Sequence, residues 1–471
     1  MIFFFLCNTE SKKSEKKEEP QMEAMDRTHQ KMTAESLPRL LSKLCVPTVL
    51  SALLPPFTAI FEAWLASNVS PDACGALGIV FPIHALIQTI GFVFGTGAGS
   101  LVANALGKKD VQSARQLAFG ALFCSILLST CLTIFGLLFQ SPLLNLLGAS
   151  RETVALAKPY AVCLLSSAPL MCACFVFSNL LRAEGKTTRA MLGLAGGNLF
   201  CVIFSAIFVF FLDWGTLGIG FSIPIGYSFA FFILFFPYWK KRTLVAVAPI
   251  FGKPLWKSAK KTAINGMPSL FRQGLTVVAV ILSNHAARQF GNSAITAVAL
   301  SSRIFLLCYA VPLGIGQGMI PAVGFNYGNG NLKRTKEIYK FCIVVSTVIL
   351  VVLAVPTAFF ADSILQLFGR GDEQLQFGMP FLRSVCAILP LHGLIAITNL
   401  LLQVLKKPIS ASVLAAARQG IFFLPLIFLL PSIFGFTGVW LTQTIADALT
   451  FLLALFYAIR FMKAIKKKRP G

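Results

Sequence analysis

Twelve long apolar runs alternate with short polar connectors along this chain. They cover about residues 44–67, 76–104, 114–139, 154–181, 188–212, 216–239, 262–289, 297–326, 338–361, 377–405, 410–431 and 436–462. Each run reaches roughly 20 residues, enough to cross a hydrocarbon layer of about 30 Å as a helix. Short connectors suit antiparallel neighbours. The pattern predicts an all-α membrane protein with twelve transmembrane helices. Residues 1–36 break the pattern: after a brief apolar start, lysines alternate with acids, which predicts a disordered cytoplasmic arm.

The pattern is also written twice. The glycine-rich stretch Gly314–Asn331, GIGQGMIPAVGFNYGNGN, has an earlier copy at Gly95–Asp110, GTGAGSLVANALGKKD. Gly95 meets Gly316, Gly97 meets Gly318 and Gly107 meets Gly328, each at an offset of 221 residues. Pro47, Pro159 and Pro169 meet Pro268, Pro380 and Pro390, and Gly148 meets Gly369. Three of eight prolines between 44 and 190 land on prolines, where chance gives about 0.4. The halves are an N-lobe at 37–240 and a C-lobe at 262–462, joined by a basic linker at 241–261 and followed by a basic tail at 463–471. Six spans per half start both halves on the same side. They are therefore parallel repeats, related by an axis along the membrane normal, an arrangement that suits a cavity between two rocking lobes. A channel more often assembles identical subunits, and a receptor needs no duplication.

Charge adds an orientation. The net charge is +23, yet only 13% of residues are charged. Lysine and arginine cluster in the arm, in the turns at Lys108-Lys109, Arg182–Arg189, Lys333–Lys336 and Lys406-Lys407, and in the linker and tail. Alternate connectors are nearly free of them. Such a pattern places the basic side in the cytoplasm, with both termini on the inner face of the cytoplasmic (inner) membrane, and makes lipid the partner of these cations, not nucleic acid. The twelve cysteines show no zinc spacing and read as reduced packing residues. The four histidines form no H-E-x-x-H, and no metal, cofactor or enzyme motif is present. The expected partner is a small molecule, and the expected state is a monomer.

Ionisable groups inside a bilayer are costly and point to function. Glu62 is the one acid well inside an N-lobe span. It lies 18 residues beyond Leu44, roughly 27 Å along a helix, in the outer half of the membrane. It is the candidate cation-coupling group; a salt-bridged or interfacial glutamate is the plainer alternative. Thr58 stands one turn before it. His84 and Gln88, four residues apart, could complete a proton relay. Asn179, Asn198, Tyr227, Asn399 and Gln403 are further relay or cavity candidates, with packing as the alternative for each. The C-lobe carries Arg272, Arg288, Arg303, Arg383 and Arg418 in or near spans, and Asp447 as its deep acid. Internal pairing of Asp447 with Arg418 or Arg272 is the simplest account. Gly95, Gly97, Gly316, Gly318 and Gly328 are candidates for hinges or close helix packing.

The stretch GQGMIPAVGFNYGNGNLKRTKEIY, with ALSSRIF before it, resembles the eighth helix and following turn of the multidrug and toxic compound extrusion (MATE) transporters. NLLRAEGKTTRAM at 179–191, ALGIVFPI at 76–83 and RQGIFFLPLIFLLPSIFGFTGVWLTQTIAD at 418–447 resemble other segments of that family. The resemblance covers about 40 to 462. It implies twelve helices in two six-helix lobes and export of organic cations or other amphipathic compounds against protons or sodium. Glu62 falls where the family has an acid in its first helix, usually aspartate. The acid many members carry in the fifth helix falls on Ser205, and the seventh-helix glutamate of some members is missing from PSLFRQGL at 268–275, as in a bacterial subgroup. These departures favour proton coupling over a multi-carboxylate sodium site. A flippase for lipid-linked precursors, using the C-lobe arginines for an anionic headgroup, is the nearest alternative, and an ion channel a weaker one.

Overall fold

Every amide in a lipid-facing segment must bond within its own segment, so long apolar runs fold as helices. The structure, a computed structural model, describes residues 18–147, 151–247, 249–366 and 372–467. Among these it contains helices, turns and no strand. The residues before 18 and after 467, and the Gly148–Gly369 correspondence, lie outside the described residues.

The helices are α1 (Glu18–Ala34), α2 (Leu37–Val69), α3 (Pro71–Gly107), α4 (Val111–Leu138), α5 (Gln140–Leu146), α6 (Arg151–Ala183), α7 (Thr187–Phe210) and α8 (Gly215–Trp239). The second half contains α9 (Lys253–Arg288), α10 (Asn292–Gly328), α11 (Leu332–Phe359), α12 (Ala361–Gln366), α13 (Asp372–Ile388), α14 (His392–Val404), α15 (Pro408–Ala416), α16 (Phe423–Phe434) and α17 (Phe436–Lys467). A 3-10 turn, Leu389–Leu391, joins α13 to α14, and a π-turn, Ala417–Ile421, joins α15 to α16. Counting each of these pairs as one membrane segment, twelve are long and apolar enough to span a bilayer.

Prolines run through several spans, and the carbonyls they free are re-bonded. Pro47 leaves the Lys43 carbonyl without its helical donor, and the Thr187 hydroxyl donates to it at 3.1 Å. Pro169 does the same to Leu165, whose carbonyl accepts from Thr133 at 2.6 Å. Threonines on neighbouring helices thus turn helix-breaking positions into cross-links.

The apolar core divides unevenly. At the end where the basic turns lie, one continuous core runs through both lobes, from Leu40 and Val102 to Val323 and Leu401. At the opposite end there are two cores. One holds Leu65, Ile87, Leu164 and Ile219 of the N-lobe. The other holds Ala287, Leu365, Leu382 and Phe423 of the C-lobe. The lobes therefore meet at the basic end and part at the other.

Three expectations need correction. The arm is helical from Glu18 to Ala34, because docking rewards it: Met25 and Met32 are buried, and Asn326 donates to the Met32 carbonyl at 2.8 Å. Asp26 pairs with Lys109 of the N-lobe at 2.7 Å, and Arg334 of the C-lobe donates to the Glu35 carbonyl, so this segment bridges the two lobes. The first C-lobe helix starts at Lys253, inside the expected linker, with Pro254 in its first turn. The tenth and eleventh spans are broken by the 3-10 and π turns, not continuous.

Candidate functional site

The seam between the lobes is built from the repeated glycines. A Cβ on Gly107 would strike the backbone of Phe325, and one on Gly328 would strike that of Asn104. Asn104 and Phe325 are themselves repeat counterparts, so the contact is reciprocal: each copy presents the same surface to the other. Gly97 lies against Thr262 and Gly266, and its counterpart Gly318 against Cys45 and Thr48. Gly95 and Gly316 act inside their own lobes, against Asn179 and Leu400.

Polar bonds reinforce the same seam. Thr48 donates to the Gly314 carbonyl at 2.7 Å. Thr96 and Ser269 share a bond of 2.8 Å, and Asn265 donates to Ser100 at 2.6 Å. Arg182, buried, donates to Gln317 at 2.6 Å. All of these residues lie in the halves of their helices nearest the basic turns. At the other end Gly78 and Gly274 have no atom within 4 Å of an added Cβ. The molecule is a V, closed at its basic end and open at the other.

Glu62 sits on the N-lobe arm of the V. No described side chain makes a hydrogen bond or an ion pair with it. Tyr160 of α6, Cys201 of α7 and Tyr227 of α8 are close enough to interact with its charge. Thr58, one turn before, donates to Asn198 Oδ1 at 3.2 Å. Four helices therefore converge on one carboxyl group. His84 and Gln88 bond to each other at 3.1 Å, and neither bonds to Glu62, so the expected relay is not assembled. Asn179 is buried and donates to the Phe175 carbonyl at 2.8 Å.

The C-lobe acid is in the opposite condition. Asp447 is fully buried and holds Arg418 Nε at 2.9 Å, His392 Nε2 at 3.3 Å and Gln443 Nε2 at 2.9 Å. The Arg418 guanidinium lies 4.5 Å from the Phe305 ring centre and 4.8 Å from that of Tyr309. Arg418 occupies the π-turn, a local widening that alters which way its neighbours face. Arg272 makes no ion pair with Asp447. It donates to Asn399 at 3.4 Å and Ser269 at 3.3 Å. Arg272, Asn399 and Arg418 line a pocket of about 20 Å³. Gln403, one turn further along α14, is fully buried and does not line this pocket. Arg288, Arg303 and Arg383 are exposed away from this pocket.

Reasoning from the sequence missed Tyr160, Cys201 and His392. Cys201 and Tyr160 are ordinary residues of apolar runs. The signal for His392 was Pro390, which breaks the tenth span and begins a new helix at the histidine.

The MatE family profile matches residues 47–210 and 268–429. The multidrug export protein MepA of Staphylococcus haemolyticus is 25% identical over 427 residues, spanning 90% of this chain and 94% of its own. MepA of Staphylococcus aureus is 25% identical over 414 residues, spanning 88% and 90%. A solved multidrug resistance MATE family transporter of the MOP superfamily, in its outward-facing conformation, superposes with a TM-score of 0.87 at 22% identity, covering 93% of this chain and 98% of that one. A MOP superfamily transporter from Pyrococcus furiosus, described as having a binding pocket of reverse polarity, superposes with a TM-score of 0.86 at 21% identity, covering 93% and 99%.

Proposed function

The chain belongs to the MatE family of membrane transporters, and from that membership we propose that it is a secondary antiporter, exporting amphipathic, cationic small molecules in exchange for protons. The carrying observation is the contrast between its two deep acids. Asp447 is neutralised by Arg418, while Glu62 has no cation beside it among the described residues. A carboxylate kept free at this depth is available to a proton or to a cationic substrate.

In this reading the basic ends face the cytoplasm and the open end of the V faces out. The carboxyl takes a proton from outside, and the lobes then part at the basic end and close at the other. The proton leaves inside, and substrate enters from the cytoplasm. Glu62 must hold its proton in one state and release it in the other for the cycle to turn. The protein acts as a monomer in the cytoplasmic membrane, and sodium is the alternative coupling ion. The engagement of Arg418 by Asp447 weighs against an anionic headgroup as the main substrate.

The test is efflux of a cationic dye from vesicles with an imposed proton or sodium gradient. Glu62→Gln should abolish proton-driven efflux while the protein stays inserted, and Glu62→Asp should keep part of it. Undiminished proton-driven efflux by Glu62→Gln would overturn the role of this residue, and efflux driven by sodium alone would replace the coupling ion.

A further inference from the structure

A second site lies outside the cleft, on the lipid-facing surface of the C-lobe. Near their basic ends α11 and α17 leave a groove of about 380 Å³ between them. Its walls include Ile343, Leu455, Ala458 and Ile459, and its floor is Tyr339. That floor is fixed: the Tyr339 hydroxyl bonds Thr398 at 2.8 Å, and its ring packs edge-on to Phe461 at 5.5 Å.

Three cations stand around this groove. Lys336 and Lys340 are one turn apart on α11, so they project from one face, and Lys463 completes the set from α17. None of the three pairs with an acid among the described residues. Like charges gathered beside an apolar trough, with Glu337 on the same helix making no ion pair to them, complement a molecule that carries a negative head and a hydrocarbon body.

The duplication provides a control for whether the fold itself needs these lysines. At the offset of 221, Lys336 corresponds to Arg115 and Lys340 to Phe119. Near the end of each half the offset is 220, as Gly215 with Gly435 and Gly218 with Gly438 show, and there Lys463 corresponds to Thr243, past the end of α8. At the two positions with helical counterparts, the N-lobe builds the same architecture with one cation, Arg115. The set therefore belongs to the C-lobe surface and not to the six-helix fold.

We infer that this groove binds one anionic phospholipid, its phosphate between the three lysines and part of an acyl chain over Tyr339. Basic pockets between spans at a membrane interface are suited to such headgroups. The lipid would tie α11 to α17 at the end of the molecule where the lobes meet.

The test uses purified full-length protein, delipidated in neutral detergent and titrated with palmitoyl-oleoyl phosphatidylglycerol or phosphatidylcholine, with bound lipid counted by native mass spectrometry. The wild-type protein should retain one phosphatidylglycerol at least about tenfold more tightly than phosphatidylcholine. Lys336→Gln, Lys340→Gln and Lys463→Gln together should remove that preference. Ile343→Trp, which fills the trough and keeps the lysines, should remove it as well. Lys240→Gln, Lys241→Gln and Arg242→Gln together, with the same loss of charge elsewhere, should leave it intact. Retention of phosphatidylglycerol by the first triple variant would overturn the proposal. So would equal loss in the control, which indicates bulk charge, or displacement of the lipid by millimolar glycerol phosphate, which indicates a site for soluble anions.

Discussion

Gly266 offers the sharpest test of the seam. Its missing side chain faces the Val93 backbone of α3 so closely that no Cβ fits. The obstacle is a carbonyl group on a helix, which cannot rotate aside as a side-chain tip can. Overpacking of this kind costs about 1–3 kcal/mol, and the cost falls only on the conformation in which the lobes touch here. Gly266→Ala should therefore shift the balance between closed and open basic ends by about 5- to 150-fold. Cys45 is a built-in reporter, being 9% exposed with its thiol donating to the Ile315 carbonyl at 3.5 Å across the same seam. With the other cysteines replaced, labelling of Cys45 by a membrane-impermeant maleimide in inside-out vesicles should accelerate by a comparable factor. Gly78→Ala, whose added carbon meets nothing within 4 Å, should leave the rate unchanged. Equal labelling of Gly266→Ala and wild type, or equal acceleration by Gly78→Ala, would refute the reasoning.

Two stability predictions follow from other parts of the molecule. Asp447→Asn leaves the buried Arg418 guanidinium without its carboxylate, which should cost about 3–5 kcal/mol and lower the melting temperature in detergent sharply. Combining it with Arg418→Met should recover most of the loss, and a double variant no more stable than the single would contradict the pairing. Asp110 caps α4 by accepting from the Ser113 amide at 2.9 Å, and the Ser113 side chain, then its backbone, hold the Asp110 carboxyl below its usual range. A lowered folded value means that the cap stabilises above the unfolded pKa of about 3.9 and fades as pH falls through the folded value. Asp110→Ala should thus cost about 1 kcal/mol near pH 7 and progressively less below pH 4, while Asp110→Asn keeps most of the cap. A constant deficit across that range would show that the charge is not involved.

The spans and their pairing into two lobes were legible because lipid imposes length and apolarity on each segment, and because glycine and proline mark backbone positions that survive divergence of side chains. The arm was not legible. Its sequence is polar, and its helix depends on Met25, Met32 and Asn326 meeting in three dimensions. The short α5 and α12 were missed because each continues an apolar run past the end of a span; they too are counterparts, Gln140 falling on Ala361. Glu62 could be singled out as a lone acid in an apolar run. Its neighbours Tyr160 and Cys201 could not, since tertiary folding alone brings α6 and α7 to it. The π-turn that holds Arg418 carries no marker beyond Gly420.

The reciprocal contact of Gly107 and Gly328 also carries a record of descent. An ancestor of half this length, six spans with one such glycine, could pair with a second copy of itself across a true two-fold, and that dimer would have met along this line. In a single chain carrying both copies the partner is permanent. A substitution on the axis still disturbs both copies at once, whereas positions on the arms became free to differ. Glu62 has Ser283 as its counterpart, a divergence that no symmetric dimer could have held.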